Sequence, residues 1–460
     1  MKMKKSMFAL TALALFSVHS WPVAAADVSK LGDELTATGA EKAGSKDGQI
    51  PAFEGQAKPV GSWTYGKPRK DHWKYKDEKP LFVIDASNVD KYADKLTPGQ
   101  IETLKHVPGY TMPVYPTHRD CGVPEDVAQN TKDGASKSAI GSNGWSLEDA
   151  VLPGVPFPVP QNGIQALWNF LVRYQGAGTV YPDILTYLSP RTGSTQSIEY
   201  HSEALGYFPW GAKGQHSPKE SGGLQSGQYY VYSSPAALAG QGTMARNYFG
   251  KDADTFYYFT GQRRVRRLPA YTYDAPMIGY ENEYTIDSTG VFNGLPDRFD
   301  WKLVGKKEIY IPYNVFAMQN ATAKLSDVTG PHFVNPAFRR YELHRVWELV
   351  GTVKQGMRHS TPKKVIYLDE DSWIAALGDD YDAQGKIWKA KENYITPQWD
   401  LGACNLNAFI QNDLINGRYI LDMTIIGTGK DFKNIQDAKS DRRLTEGFFT
   451  GESLQAVSSQ

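Results

Sequence analysis

Cysteine, net charge and long apolar runs are what this chain has least of. Only two cysteines occur in 460 residues, so no Cys/His pattern with zinc-ligand spacing is available. Fifty basic residues balance fifty acidic ones, which argues against nucleic acid as a partner, because such binders carry a strong basic excess. Beyond the N-terminus no apolar run approaches the roughly 20 residues that a bilayer span needs. Catalytic motifs are missing as well. Gly427-Thr-Gly-Lys430 lacks the loop length and the following Ser or Thr of a phosphate-binding loop, and neither H-E-x-x-H nor G-x-S-x-G occurs. The nine histidines are scattered; His201 with Glu203 offers a base and a partner but no nucleophile. The expectation is therefore a protein without catalytic residues, cofactor or metal, and not an enzyme.

What is present begins with an export signal. Lys2, Lys4 and Lys5 precede an apolar run from Met7 to Val18, and Ala24, Ala25 and Ala26 supply the small residues of a cleavage site. Cleavage after Ala26 removes three lysines and no acid, leaving 47 basic against 50 acidic residues. The mature chain is expected in the periplasm of a Gram-negative-type cell, with no transmembrane segment after cleavage and no acylated N-terminal cysteine. In that oxidising compartment Cys121 and Cys404 either form a disulfide or stay as two separately buried thiols, and sequence leaves both open.

Abundant Tyr, Trp, Gly and Pro suit a sheet protein with many turns. Residues 1–26 read as the signal peptide, 27–150 as an N-terminal arm of short helices and extended Pro-rich segments, 151–440 as a β-rich domain and 441–460 as a C-terminal tail. Within the arm, Ser29–Gly39 reads as a short amphipathic helix, Asn88–His106 as helical, Val107–Pro116 as an extended crossing and Thr131–Asn143 as a loop. Asn162 opens a helix running to Tyr174 whose stripe Ile164, Leu167, Trp168 and Leu171 faces a core. From Val180 the periodicity changes to two. Strands are expected at 185–189, 197–202, 228–232, 255–260, 263–268, 307–312, 341–354, 364–369, 373–377 and 386–394, and Asn416-Gly417 marks a hairpin between 408–415 and 418–425. The fold class is mainly β (α+β), a large curved antiparallel sheet.

The stretch Tyr341–Lys354 is the most informative strand, more than about 40 Å long at the usual rise per residue. Its odd positions Tyr341, Leu343, Arg345, Trp347 and Leu349 form an apolar face with one charge, and its even positions are expected to face outward. Arg345 is either satisfied by a buried carboxylate or held for an anionic head group inside a cavity. Arg263 and Arg267 share one face of their short strand, Arg264 and Arg266 the other, so one pair is expected towards the covered side, solvated or at a cavity rim. Asp380-x-Asp382-x-Gln384-Gly385 copies the start of a calcium loop but places Lys391 where a bidentate Glu is needed, and reads as a turn. Asp369, Glu370 and Asp371 offer at most weak cation binding.

Several stretches carry a family resemblance: Leu152-Pro-Gly-Val-Pro-Phe-Pro, Gly261-Gln-Arg-Arg-Val-Arg-Arg-Leu-Pro, Ile311-Pro-Tyr-Asn, Arg340-Tyr-Glu-Leu-His-Arg-Val-Trp and Leu368-Asp-Glu-Asp-Ser-Trp. Together they resemble the bacterial family catalogued as domain of unknown function 1329, over nearly the whole mature chain. The resemblance implies an outer-membrane lipoprotein-sorting-like fold of the LolA/LolB group, a half-barrel wrapped over a few helices with an apolar cavity between. It brings no catalytic residues. The expected function is a periplasmic binding protein for a lipid or other hydrophobic ligand, a carrier or accessory of an envelope transport system. Arg345, Trp347, Tyr341, Leu343, Leu349, Arg263 and Arg267 are the expected ligand contacts, and an inner-membrane permease or an outer-membrane protein the expected partner. The alternatives are an enzyme acting on lipid or cell-envelope material and a ligand-free adaptor to a permease.

Overall fold

The structure, a computed structural model, describes residues 28–269 and 271–458. The export signal expected over residues 1–26 lies outside them. In chain order the strands are β1 (Phe82–Ile84), β2 (Met112–Val114), β3 (Ala139–Ile140), β4 (Leu147–Asp149), β5 (Gly178–Leu188), β6 (Ile198–Tyr207), β7 (Leu224–Ser234), β8 (Gly242–Tyr248), β9 (Asp254–Phe259), β10 (Arg264–Arg267), β11 (Phe299–Pro312), β12 (Tyr341–Val353), β13 (Lys363–Asp369), β14 (Ala375–Tyr381), β15 (Ile387–Gln398), β16 (Ala403–Asp413), β17 (Arg418–Thr424) and β18 (Lys433–Ile435). The α-helices are α1 (Pro98–His106), α2 (Glu125–Gly134), α3 (Gly163–Leu171), α4 (Leu325–Val328) and α5 (Gly451–Ser458).

Sixteen strands form one curved sheet that is not closed into a barrel, in the order β1-β2-β12-β13-β14-β15-β16-β17-β5-β6-β7-β8-β9-β10, with β11 also on β12 and β18 also on β5. All its pairings are antiparallel except one parallel bridge, Tyr341 with Val114. The strands from β12 to β17 follow one another in sequence and in space. The joint between β17 and β5 then brings Ile420 opposite Leu188 and Leu421 opposite Tyr187. The hairpin marked by Asn416-Gly417 is the β16–β17 turn, with Asp413 paired to Arg418 and Gly417 at φ +65°, a backbone conformation that glycine adopts without steric cost.

Helix α3 starts where the sequence places it, because the Asn162 side chain accepts the Gln165 N–H at 3.1 Å. A Cβ on Gly163 would lie 2.5 Å from the Trp301 carbonyl oxygen, so only glycine lets the helix start sit this close to β11. Of its expected stripe, Leu167 enters the main core with Ile164 and Leu171 packed against it, beside Ala166, Phe170, Trp347 and Leu349 of β12 and Phe409 of β16, whereas Trp168 enters a separate core with Trp210 and Phe249.

Several expectations need correction. The even positions of β12 do not face outward over its first half: Glu342, His344 and Val346 are buried. The segment from Pro116 to Cys121 covers them, the His118 N–H donating to Glu342 at 2.7 Å and Arg340 pairing with Glu342 at 2.5 Å. Val346 joins a second core containing Cys121 and Cys404, while its neighbour Trp347 joins the first, so the two cores lie on opposite faces of β12. Ser29–Gly39 is not an amphipathic helix but a single short turn, Val28–Lys30, followed by irregular chain; Gly32 and Gly39 at φ +89° and +96° break any helix there. The expected loop at 131–143 begins inside α2, whose buried Val127 and Thr131 pack inward, Thr131 donating to the Val127 carbonyl. Neither arginine pair of β10 turns inward, since Arg263, Arg264, Arg266 and Arg267 are all exposed and only Val265 packs, beside α5. Asp382–Lys386 is the expected turn, with Gly385 at φ +76°.

The arm and tail are integral to the sheet protein. Residues of the arm supply β1, β2 and α1, and α5 of the tail packs on β8, β9 and β10. Cys121 and Cys404 are joined by a disulfide, with their Cα atoms 5.2 Å apart.

Candidate functional site: an aromatic cavity

Pro182 lies within β5 and has no N–H to offer the ladder. The pairing of β5 with β6 breaks between Tyr181 and Ile184, and that of β17 with β5 breaks between Leu421 and Thr424, where Met423 adopts φ +55°. These two irregularities sit side by side and open the sheet. Tyr181, Ile184, Asp422 and Met423 line a cavity of about 360 Å³ there. Its wall is β5 to β9, one side is the end of α3, and its roof is the irregular chain from Tyr271 to Leu295. The size falls within the range of ligand pockets, roughly 300–1,000 Å³.

Aromatic residues are prominent in the lining. Tyr229, Tyr230 and Tyr232 of β7, Tyr271, Tyr273 and Tyr280 of the roof, and Phe170, Phe208 and Phe292 present rings to the space. The phenols are tied together rather than free: Tyr230 and Tyr280 hydroxyls are 3.0 Å apart, Tyr280 donates to Thr186 at 3.4 Å, and Thr186 donates to Asp422 at 2.5 Å. Tyr284 gives Asp422 a second donor at 2.6 Å. Burial raises the Asp422 carboxyl above its ordinary value, and burial together with Asp422 pushes Tyr230 up to about 12, so the phenols stay neutral.

Arg173, two residues beyond α3, is the unusual member of the lining. Its guanidinium donates only to the Phe170 carbonyl at 3.2 Å and the Gln175 side chain at 3.0 Å, and its Nε has no hydrogen-bond partner. Among the described residues no carboxylate lies within 4.0 Å of it. Desolvation without a partner lowers its pKa to about 10. A guanidinium taken partly out of water normally has a counter-charge; half-buried Arg173 faces the cavity instead. Exposed Lys251 and Asp252 mark the rim.

None of the residues expected to contact ligand lines this cavity. Arg345 donates to the Ala43 carbonyl at 2.9 Å and pairs with Glu370 and Glu308, each at 3.4 Å, so it is satisfied by carboxylates. Trp347 stacks on Trp373 with centroids 6.3 Å apart, and Leu349 is buried beside it in the α3 core. Tyr341 donates to Glu392 at 2.8 Å, and Leu343 packs in the core below α1. Arg263 is exposed, and Arg267 pairs with Asp254 on the surface. His201 pairs with Asp183 at 3.1 Å, and Glu203 with Arg443 at 2.5 Å instead. The missed signal was tyrosine density: four tyrosines between 271 and 284 in a stretch with no periodicity, facing three more between 229 and 232.

Several solved structures and one protein sequence are similar to this chain. A Vibrio parahaemolyticus domain described as an outer membrane lipoprotein-sorting protein is 12% identical, covers 64% of this chain and 98% of its own length, and superposes with a TM-score of 0.42. A LolA superfamily protein from Nitrosomonas europaea is 12% identical over 63% of this chain and 98% of its own, with a TM-score of 0.36. A DUF1329 family protein from Desulfovibrio piger is 14% identical over 61% of this chain and 92% of its own, with a TM-score of 0.37. In sequence, the uncharacterized protein PA3922 of Pseudomonas aeruginosa is 38% identical over 419 residues, 89% of this chain and 90% of that protein. The model of the family described as protein of unknown function, DUF1329, matches residues 83–455, and the chain belongs to that family.

Proposed function

We propose that this protein is a periplasmic binding protein, a carrier or accessory of envelope transport, for an amphipathic ligand with an apolar body and an anionic head. The observation that carries the reading is Arg173, a guanidinium without a carboxylate at the edge of a space walled by aromatic rings. Rings and aliphatic side chains supply the burial energy, about 25 cal/mol per Å² of apolar surface removed from water. The guanidinium supplies a planar fork that matches a carboxylate or phosphate. The wall favours retention over chemistry: Tyr230 and Tyr280 are bonded to each other and, through Thr186, to Asp422, an arrangement that holds shape. In this reading the protein acts by binding and release, and a permease or outer-membrane protein receives or supplies the ligand.

The direct test is to express the full chain with its leader, recover it from the periplasm without detergent, and compare native mass spectra before and after organic extraction. A bound mass of several hundred daltons, extracted into the organic phase and carrying an acidic group, supports the reading. A chain recovered empty that also fails to take up fluorescent fatty acid or anionic phospholipid defeats it.

A further inference from the structure

Two of the sequence motifs remain unexplained by the cavity, and they meet on the other face of β12. His344 belongs to the Arg340–Trp347 stretch, and Asp369 and Asp371 belong to the Leu368–Trp373 stretch. The pairing of β12 with β13 sets Val346 opposite Asp369 and so brings the two together. The three side chains are buried, and one donor atom from each lies within 4.8 Å of the other two. His344 Nδ1 is 3.9 Å from Asp369 Oδ1.

The acceptors here outnumber what the protein gives them. Asp369 Oδ2 receives the Ser372 N–H at 3.0 Å and hydroxyl at 2.5 Å, but Asp369 Oδ1, fully buried, has no hydrogen-bond partner. The Tyr313 hydroxyl, also fully buried, has none either; its ring stacks on His344 with centroids 3.8 Å apart, and the acidic groups around it are Asp369, Asp371, Asp120 and Glu342. The neighbouring cations do not hydrogen-bond to Asp369 Oδ1. Arg119 grips both oxygens of Asp371 at 2.6 and 3.0 Å, Lys306 holds Glu370 at 2.8 Å with Arg345 beside it, and Arg340 holds Glu342. A fully buried carboxylate oxygen and a phenol left without partners beside an imidazole are costly unless a donor or a cation sits between them.

We propose that His344, Asp369 and Asp371 form a buried site for one divalent transition cation, with the Tyr313 hydroxyl facing it. One imidazole nitrogen with carboxylate oxygens suits Zn²⁺ or Mn²⁺, whereas Ca²⁺ takes oxygen ligands alone. The outer layer is of the kind that supports metal ligands: His344 Nε2 lies 3.4 Å from Glu342 Oε2, and Arg119 fixes the orientation of Asp371. Metal–ligand distances of about 2.0–2.2 Å require the three donors to draw together slightly on binding. Thr38 donates to the Asp371 carbonyl, and Arg119 donates to the carbonyls of Glu41, Lys42 and Pro51, so the N-terminal arm closes over the site. The cation is therefore acquired during folding and has a structural role, separate from the cavity.

The test measures metal content of full-length mature protein by inductively coupled plasma mass spectrometry, first as purified without chelator. The protein is then unfolded with EDTA and refolded with ZnCl₂, with MnCl₂ or without metal. The expected result is about one equivalent of Zn²⁺ or Mn²⁺ per chain, a higher melting temperature for the metal-refolded protein, and at least about tenfold weaker retention in Asp369→Asn and His344→Gln. Tyr313→Phe, a milder change, is expected to keep the fold and weaken retention. Wild-type protein that holds neither metal and melts identically after all three refoldings overturns the proposal and leaves a proton as the occupant. Metal retained undiminished by every variant overturns it too, because the ion is then bound elsewhere.

Discussion

The Tyr284 hydroxyl donates to the buried Asp422 carboxylate at 2.6 Å, which ties the roof of the cavity to β17 in its wall. Tyr284 and Asp422 are separated by 138 residues, so this bond fixes where an irregular segment lies across a sheet. Tyr284→Phe keeps the ring and its packing on Phe409 while leaving Asp422 with Thr186 and the Met423 N–H. The expected loss is about 1.5–3 kcal/mol in chemical denaturation, the worth of a hydrogen bond to a charged group. Ligand release is expected to quicken in stopped-flow measurements, because the roof is less firmly held.

Arg173 decides head-group preference in the proposed reading. Arg173→Met keeps much of the side-chain volume and removes the charge. Anionic ligands are expected to lose about tenfold or more in affinity, corresponding to roughly 1.5–3 kcal/mol for a charge-assisted bond, while their neutral methyl esters are little affected. Because no carboxylate is stranded by the change, the melting temperature is expected to hold or rise. Equal loss for acid and ester in a displacement titration contradicts the head-group role.

Arg345 makes the opposite forecast. Removing it takes one of three cations from buried Glu370, which keeps Lys306 at 2.8 Å and Arg119 at 3.6 Å. Arg345→Met is expected to lower stability by less than the roughly 3–5 kcal/mol of a buried pair broken from one side, because Glu370 keeps two cations. Ligand affinity measured well below the melting temperature is expected to stay unchanged, since Arg345 does not line the cavity.

A pH forecast comes from Asp379 of β14, whose carboxyl is raised to about 7 by burial even though the Gly99 N–H at 3.1 Å and the Thr97 hydroxyl at 3.3 Å act in the other direction. A carboxyl raised above its unfolded value near 3.8 binds its proton more tightly in the folded state. Its contribution is therefore most favourable below about pH 4 and is lost as pH rises towards about 7, where the fall levels off. Denaturation midpoints compared between wild type and Asp379→Asn across that window should differ in slope, the wild type losing stability with rising pH relative to the variant. Parallel curves would show that Asp379 does not titrate there.

Much of the sheet could be read from period-two alternation, and α3 from its cap and stripe, because those patterns are set within a few residues of each other. The strands were mostly longer than alternation showed: β5 begins at Gly178, seven residues before Leu185, because Pro182 and Asp183 interrupt its rhythm. Gly242–Tyr248 escaped for the same reason, with Thr243, Ala245 and Arg246 breaking any apolar rhythm. The site was harder. Alternation on β12 correctly put Arg345 and Trp347 on one buried face, but a face buried by core and a face lining a cavity have the same pattern. What separates them is the chain that lies on top, here α3 and the arm around Ala43. The true lining comes from the interruptions at Pro182 and Met423 and from the tyrosines of the roof, none of which belongs to a regular element's rhythm.

The joint between β17 and β5 has a consequence for assembly. Ile420 and Leu188, neighbours across that joint, are 232 positions apart in the chain, so closing it carries a large loop-entropy cost that grows with the logarithm of the length between them. A nascent chain can build the meander from β5 to β10 early, but the outer edge of β5 then stays an unsatisfied row of amide groups until nearly all of the polypeptide has emerged. Such an edge is a template for pairing with other chains. The long-range topology predicts slow folding, with the half-formed sheet as the vulnerable state.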